Sequence, residues 1–166
     1  MRSKPPGGPV ILNNTPLVAL WSIGRLELLR DLYGEVLIPQ AVYAEFLAVE
    51  GAVRQAALTE AAWIKVTSLA NPRQALLYVG LDQGEAEVLA LADEQTARLV
   101  IMDERKGRRH ARRLGLPLTG TVGILLTARS EGLIPALAPL FEQLLSTGLY
   151  LAPELVEKAL ELAGEK

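Results

Sequence analysis

The sequence predicts an α/β fold, a three-layer α/β/α sandwich in which helices cover both faces of a parallel sheet. Short apolar runs typical of strands alternate with stretches of helical periodicity along nearly the whole chain, which is the pattern of α/β proteins. The 166 residues are half hydrophobic and 22% charged, enough for the core of one ordinary domain. We therefore expect a flexible leader over residues 1–8, rich in proline and glycine, and a single domain over residues 9–166.

The composition excludes several classes of functional site. The chain has no cysteine and a single histidine, His110, so disulfide scaffolds, thiolate zinc sites, iron–sulfur clusters and histidine metal cages are excluded. The N-terminus lacks the apolar core of a signal peptide, and the apolar stretches are too short or too interrupted to span a membrane. We expect a cytoplasmic protein with no membrane partner.

The elements of the first half follow from apolar runs and helix start signals. The apolar run over residues 10–12 predicts a strand, and Pro16 behind Thr15 predicts a helix that Thr15 caps. Leucines at helical spacing predict a second helix over residues 25–32. A second strand is expected at residues 36–38, and Pro39 opens the helix that follows it. A third strand is expected at residues 64–66, and an irregular segment at residues 68–79.

The second half has the clearest local signals. Asp82 followed by Glu85 predicts a capped helix start, and the apolar run over residues 99–102 is the best strand in the sequence. This strand ends directly in Asp103, and a helix rich in arginine follows it. The remaining elements expected are a strand at residues 116–118 and three helices, at residues 119–128, 136–146 and 153–163.

Polar side chains follow the predicted strands at the point where ligands bind. In parallel α/β sheets, ligands gather at the carboxyl ends of strands. Asp103 would lie at this edge, Glu85 beside it on the preceding helix, and Glu45 on a helix next to the core. If these three carboxylates converge, they would bind Mg²⁺, which prefers oxygen ligands and can prepare a water for attack on a phosphodiester.

Each of these carboxylates also has an ordinary structural explanation. Asp103 could cap the helix that follows it, and Glu85 could complete a capping box with Asp82. Glu45 could simply face solvent. Asn13, at the end of the first strand, could stabilise a turn.

A basic helix is expected immediately after Asp103. Six of the 17 basic residues fall within nine positions, although the net charge of the chain is −2. Gly107, Ala111 and Leu114 form a stripe that would pack on the sheet and turn the basic residues outward. Because so many like charges repel one another, this pattern favours an anionic partner over a merely solvated face. The residues expected to contact nucleic acid are Arg105, Lys106, Arg108, Arg109 and Arg112.

The order and spacing of these segments resemble a known family. The pattern VILNNTPLVAL, VYAEFL, GLDQGEAEVLALA, LVIMDERKGRRHARRLGL and LTGTVGILL is similar to PIN-like domains. It is close to an uncharacterised subgroup of predicted nucleic-acid-binding proteins related to VapC-type ribonuclease toxins. The resemblance covers roughly residues 9–164 and implies a parallel sheet flanked by helices. It also implies an endoribonuclease site of acidic residues that depends on Mg²⁺ or Mn²⁺.

The resemblance assigns roles to individual positions. The second, third and fourth acidic positions of the family fall on Glu45, Glu85 and Asp103, with Glu87 an alternative to Glu85 and Glu104 beside Asp103. The first acidic position falls on Asn13, whose amide oxygen can coordinate a cation but brings no negative charge. The hydroxyl positions of the family fall on Thr15 and, later in the chain, on Thr119 or Thr121.

Two classes of function remain open. The first is a metal-dependent endoribonuclease, either a toxin or an RNA-processing enzyme, with catalytic residues Glu45, Glu85, Asp103 and Thr121. Its metal ligands would be Asn13, Glu45, Glu85, Asp103 and Glu104, and its partners RNA, an antitoxin protein and a second copy of the chain. The alternative is a non-catalytic module that binds nucleic acid or protein and has a degenerate metal site. A small-molecule enzyme lacks support, because the chain has neither a glycine-rich phosphate loop nor a nucleophile elbow.

Overall fold

A five-stranded, all-parallel sheet with the order β3-β2-β1-β4-β5 forms the centre of the molecule. The computed structural model describes residues 7–166, so most of the predicted leader lies outside the described residues. The strands are β1 (Val10–Leu12), β2 (Val36–Pro39), β3 (Ile64–Thr67), β4 (Leu99–Ile101) and β5 (Leu118–Thr119). The predicted parallel sheet is therefore confirmed, with strand bounds within two residues of those expected.

Helices flank this sheet, as the alternation in the sequence predicted. They are α1 (Asn14–Ser22), α2 (Glu27–Tyr33), α3 (Gln40–Leu47), α4 (Gly51–Glu60), α5 (Gln83–Gln95), α6 (Arg105–Arg113), α7 (Thr121–Ser130), α8 (Ala138–Ser146) and α9 (Pro153–Leu162). Every residue of β1 is fully buried, as expected for a central strand that is covered on both faces. Within residues 7–166, no helix is long and apolar enough to cross a bilayer.

The register of the sheet brings three strand ends together. Leu12 pairs with Ile101, and Ile101 pairs with Thr119, so β1, β4 and β5 end at the same level. The residues that follow them therefore emerge at one edge of the sheet. Asn13 remains tied to this edge, because its backbone N–H donates to the carbonyl of Ile101 at 2.9 Å. The shared edge expected from the sequence is confirmed.

Several local expectations need correction. α1 begins at Asn14, so Thr15 lies inside the first turn and Asn13 occupies the cap position without a side-chain cap bond. The helix that Pro39 opens, which the apolar positions Val42, Phe46 and Val49 predicted to extend to Val49, ends at Leu47, and α4 follows as a separate helix. The segment expected to be irregular contains a 3₁₀ helix over Pro72–Leu77. No apolar stripe in the sequence predicted α4, since its buried residue is Arg54.

Candidate metal and nucleic-acid site

Asp103 is held by the start of a helix that is distant in sequence. Its Oδ1 accepts from the backbone N–H of Thr121 at 2.8 Å, and its Oδ2 accepts from the Thr121 hydroxyl at 2.6 Å. Gly120 makes this approach possible, because a Cβ at that position would collide with Asp103 Oδ1. Asp103 therefore caps α7 from the end of β4, and Glu104 caps α6 by accepting from the N–H of Lys106 at 3.3 Å.

Two buried amide oxygens lie at the start of α1. Asn13 is 4% exposed, and its Oδ1 has no hydrogen-bond partner among the described residues. Asn14 Oδ1 is likewise buried and without a partner in that part of the chain. Buried polar atoms are normally paired, so these two oxygens are free to coordinate a cation or a water.

A second group of acidic side chains lies where α3 meets α5. Gly84, in the first turn of α5, lets the helices approach: a Cβ there would lie 2.8 Å from Glu45 Oε2 and 3.5 Å from Asp82 Oδ1. Burial raises the pKa of Glu45, the negative charge of Asp82 raises it further, and the Asn14 amide lowers it. Glu45 itself is largely exposed, so it belongs to the rim of the core and not to its interior. We call Glu45, Asp82, Glu85 and Glu104 the carboxyl cluster.

Glu85 has the most perturbed acidity in this cluster. Its pKa is raised to about 7, first by burial, then by a hydrogen bond with the Asp82 side chain and by the charges of Asp82 and Glu104. The backbone hydrogen bond at Asp82 acts in the opposite direction. This carboxyl group therefore changes its protonation state near neutral pH in the absence of a cation.

Glu87 and Thr119, the alternatives left open by the sequence, have other contacts. Glu87 Oε1 accepts from the backbone N–H of Ala41 at 3.1 Å, and its Oε2 accepts from Gln83 Nε2 at 2.7 Å. It therefore caps the first turn of α3. The Thr119 hydroxyl lies against Gly123 of α7, whereas Thr121 bonds to Asp103.

The acidic residues do not gather into one compact group. Across residues 7–166, no three acidic or histidine side chains are close enough together to hold a metal ion. Asp82 links Glu45 to Glu85, while Asp103 bonds to Thr121. Sequence reasoning missed the part that Asp82 plays. The sequence did contain a signal for this contact: Asp82 caps α5 three residues before Glu85, and a cap and the third residue of a helix are neighbours.

The basic helix α6 turns its charges toward solvent. Gly107 and Ala111 are buried, as the sequence predicted, while Leu114 ends the helix and is 40% exposed. Five basic side chains are exposed: Arg105, Lys106, Arg109, Arg112 and Arg113. In the part of the chain that the structure describes, none of them forms an ion pair.

Arg108 connects this helix to the strand end. Its Nη1 donates to the carbonyl of Met102 at 2.8 Å, and a Cβ at Gly120 would touch both this nitrogen and Asp103. Burial lowers the pKa of the half-buried Arg108 guanidinium, the charge of Arg112 lowers it further, and Asp103 raises it. The positive charge of α6 thus begins directly beside Asp103.

The comparisons with known proteins agree with this architecture. A search of curated proteins found no significant match. The profile of a family described as a PIN domain matches residues 9–165, which is nearly the whole chain. The fold of that family is of nuclease type, and PIN domains generally use divalent metals. The narrower likeness to VapC-type toxins stays a prediction. The match over residues 9–165 shows that the chain belongs to the PIN-domain family.

Proposed function

We propose that this PIN domain is an endoribonuclease that depends on a divalent metal ion. One observation carries the proposal: acidic side chains with raised pKa values lie at the same end of the sheet as an exposed run of arginines. Neither feature alone points to a nuclease. Together they offer a place for a cation next to a place for the phosphates of a nucleic acid.

The donor chemistry fits a hard divalent cation. Carboxylates and amide carbonyls supply the oxygen ligands that Mg²⁺ and Mn²⁺ prefer. Burial and then the negative charge of neighbouring carboxylates raise the pKa of Glu45 and Glu85, and a bound cation would favour their ionised forms. In this proposal Glu45, Glu85 and Asp103 hold the ion, and their side chains turn toward it on binding, since among residues 7–166 they do not already form a compact group. Asn13 adds a neutral oxygen, and Glu104 lies next to Asp103 as a further ligand.

The residues of the chain would divide the remaining work. A bound divalent ion lowers the pKa of a coordinated water and neutralises charge on a phosphodiester. Thr121 is a positioning residue, because its two hydrogen bonds fix the orientation of the Asp103 carboxylate. Glu85, whose pKa is about 7 without a cation, would release its proton when it coordinates the ion.

The basic helix would position the RNA backbone. Arg105, Lys106, Arg109 and Arg112 are exposed and Arg108 is half-buried, so all five could contact phosphates. Such contacts carry no sequence information. RNA bound along α6 would therefore be held in register beside Asp103 without selection of its bases by this helix.

A non-catalytic module that binds nucleic acid or protein is the second candidate, and Asn13 favours it. A neutral residue stands where the resemblance places the first carboxylate. At a few ångströms one missing charge corresponds to several kcal/mol at an effective dielectric near 20. Metal affinity would then be too low for catalysis, while α6 would still bind phosphates.

Further proposals concern location and partners. We expect a cytoplasmic protein that acts either as a toxin with an antitoxin partner or as an RNA-processing enzyme. We also expect a homodimer through the C-terminal helices, where several large apolar side chains are exposed: Leu145, Tyr150, Leu155 and Leu162. A molar mass measured in solution tests the dimer.

A metal titration separates the two candidates. Mn²⁺ is added to metal-free protein, binding is followed by calorimetry, and cleavage of a mixed RNA pool is followed with and without chelator. If the endoribonuclease proposal holds, wild type binds Mn²⁺ saturably and cleaves RNA only with metal. Glu85→Gln should lose both properties, and Glu87→Gln should retain them, because Glu87 bonds to Ala41 and Gln83. RNA binding that ignores chelator, with no cleavage, would favour the module.

The salt dependence of RNA binding tests the role of α6. Neutralising two phosphate contacts should reduce the slope of log K against log salt by about 1.4 for single-stranded RNA. The variant Arg109→Gln/Arg112→Gln should therefore weaken binding about equally for unrelated RNA sequences. Arg25→Gln/Arg73→Gln removes two arginines outside α6 and is the matched control. An unchanged slope in the α6 variant would show that these arginines only face solvent and do not contact phosphates.

A further inference from the structure

A cavity lies at the other end of α1, away from the carboxyl cluster. Its volume is about 440 Å³, within the size range of small-molecule sites. It is lined by the end of α1, the start of α4 and the turn after α8, including Val18, Trp21, Ser22, Arg54, Thr147 and Leu149. Because α1 starts beside Glu45 and ends at this cavity, the two places are about 13 Å apart along the helix.

Arg54 brings a buried positive charge to the wall of this cavity. The residue is 7% exposed, and its Nη1 donates to the carbonyl of Phe46 at 3.0 Å. The guanidinium carbon lies 4.7 Å from the centre of the Trp21 ring and 4.9 Å from that of Phe46. The two aromatic rings and one carbonyl therefore hold the group in a fixed orientation.

The guanidinium lacks a negative partner. Between residues 7 and 166, no carboxylate lies within ion-pair distance of Arg54, and its buried Nε has no hydrogen-bond partner. Arginine does not deprotonate in proteins, so the charge cannot be removed by titration. Cation–π contacts and one carbonyl offset part of the desolvation penalty, but a buried charge is normally paired as well.

We propose that this cavity binds a carboxylate attached to a small apolar body, with Arg54 as the anion-binding residue. The unused N–H groups of a guanidinium form a planar fork that matches the two oxygens of a carboxylate. A single positive charge balances a monoanion, whereas a phosphate dianion would leave one negative charge unmatched in a site of low polarity. Val18, Trp21 and Leu149 supply apolar walls for the rest of the ligand.

The two hydroxyl groups in the wall add a further preference. The Ser22 hydroxyl donates to the carbonyl of Ala19 at 2.8 Å, and the Thr147 hydroxyl donates to that of Leu144 at 2.6 Å. Their protons are therefore used, and their oxygens are available only as acceptors. A ligand with an N–H or O–H group on its apolar body would satisfy them.

The first experiment measures binding with defined probes. Benzoate and benzamide, which have the same shape and differ in charge, are titrated into the full chain by calorimetry and followed by thermal melting. We expect benzoate to bind saturably and to raise Tm. Benzamide should bind about tenfold more weakly, because a charge-assisted hydrogen bond is roughly twice as strong as a neutral one. Equal binding of the two probes, stronger binding of inorganic phosphate than of benzoate, or no saturable binding of either probe would overturn the proposal.

The same measurement distinguishes the two sources of such a group. A peptide ending in leucine is compared with its C-terminal amide: if the natural ligand is a chain terminus, the free acid should bind more tightly than benzoate. If the ligand is a small organic acid, benzoate should bind and the peptide should not. Either result supports a carboxylate site, and failure of both acids contradicts it.

Variants then assign the binding to Arg54. Arg54→Met should abolish the difference between benzoate and benzamide, and Arg73→Met, which changes an exposed arginine, should preserve it. Because Arg54→Met removes packing on two aromatic rings and could unfold the chain, Val18→Trp provides an independent test. Val18 is only partly buried, so the larger side chain can enter the cavity and should weaken benzoate binding. Unchanged binding in Val18→Trp would place the probe elsewhere and refute the site.

Discussion

Acidic side chains at the same end of the sheet lie in two opposite electrostatic environments. Asp103 is supplied with two hydrogen bonds by Thr121, so its negative charge is compensated from within the chain. Burial, and then the negative charge of Asp82, instead raise the pKa values of Glu45 and Glu85. The protein thus stabilises the charged form of Asp103, whereas a proton or an added cation would stabilise Glu45 and Glu85.

A glycine controls each of these arrangements. At Gly120 the missing Cβ admits Asp103 to the first turn of α7, and at Gly84 it admits Glu45 to the first turn of α5. Asp103 accepts hydrogen bonds from the backbone and hydroxyl of Thr121 and therefore stabilises the fold. Glu45 instead lies beside another carboxylate, Asp82. Stability and metal binding should accordingly respond differently to substitutions in the two sets.

The largest loss of stability is expected from Asp103→Ala. The substitution removes the cap of α7 and leaves the N–H and hydroxyl of the buried Thr121 without their acceptor. It should lower the free energy of unfolding by about 3 kcal/mol, measured by urea denaturation. Thr121→Val, which keeps the backbone N–H bond, should lower it by about 1 kcal/mol. Equal losses in the two variants would show that the carboxylate contributes nothing beyond the hydroxyl bond.

Asn13→Asp should have the next largest effect, and the effect should depend on metal. A carboxylate at a position that is 4% exposed is desolvated, so the metal-free variant should lose about 2 kcal/mol of unfolding free energy at neutral pH. Mg²⁺ or Mn²⁺ should restore the loss, because an ion that binds only the native state stabilises it by mass action.

RNA cleavage by Asn13→Asp should also rise if the wild-type activity is limited by weak metal binding. Melting curves with and without metal, together with cleavage of a mixed RNA pool, provide the measurement. Asn14→Asp alters the neighbouring buried oxygen and serves as the comparison. Metal-dependent stabilisation that is the same in Asn13→Asp as in wild type would place residue 13 outside the site.

A smaller effect, confined to high pH, is expected from Glu85→Gln. The pKa of Glu85 in the folded chain is about 7, above its ordinary value of 4.5, so the folded state binds this proton more tightly than the unfolded state does. In chelator, the stability that the proton contributes is complete below pH 4.5 and is lost as the pH rises through 7. Glutamine cannot lose a proton, so the variant should not show this loss.

At about pH 8 the Glu85→Gln protein should be more stable than wild type, because it has no proton to lose. The difference should be only roughly 1 kcal/mol, because solvent screens this partly exposed group. Below pH 4.5 the two proteins should be equal. Urea denaturation at both pH values is the measurement, and Glu87→Gln is the matched control on the same helix. A gain at high pH in both variants would indicate a general charge effect and not a property of Glu85.

The parts of this molecule that sequence reasoning predicted are those that depend on local signals. The apolar runs at residues 10–12 and 99–102 located two neighbouring strands of the sheet, and the rule for strand ends located the edge that carries the proposed site. Asp82 as the cap of α5 was equally local, and its side chain accepts from the N–H of Glu85 at 2.8 Å.

The parts that escaped prediction depend on contacts between distant segments. Asp103 and Thr121 are 18 residues apart, and only the pairing of β4 with β5 makes them neighbours. Nothing in the sequence distinguishes Arg54 from a surface arginine, yet it is the buried residue of α4. Such pairings need the register of the sheet and the packing of helices, which periodicity alone does not supply.

The smallest effect on stability, and the sharpest test of the carboxyl cluster, is expected from Gly84→Ala. Alanine favours helices over glycine by up to about 1 kcal/mol, so the unfolding free energy should rise slightly. The new Cβ would lie 2.8 Å from Glu45 Oε2, the mobile end of a long side chain, and 3.5 Å from Asp82 Oδ1 and Val42 Cγ2. Glu45 should therefore turn away without strain in the core, and Mn²⁺ affinity measured by calorimetry should fall several-fold.

Gly51→Ala is the matched control for this substitution. Gly51 opens α4, and a Cβ there would meet no atom within 4 Å. The control should gain comparable stability and keep its full affinity for Mn²⁺. If both alanine variants bind Mn²⁺ like wild type, the orientation of Glu45 does not matter to the ion, and Glu45 would leave the proposed ligand set. If only Gly84→Ala weakens binding while its stability rises, the orientation of Glu45 sets part of the metal affinity and does so independently of fold stability.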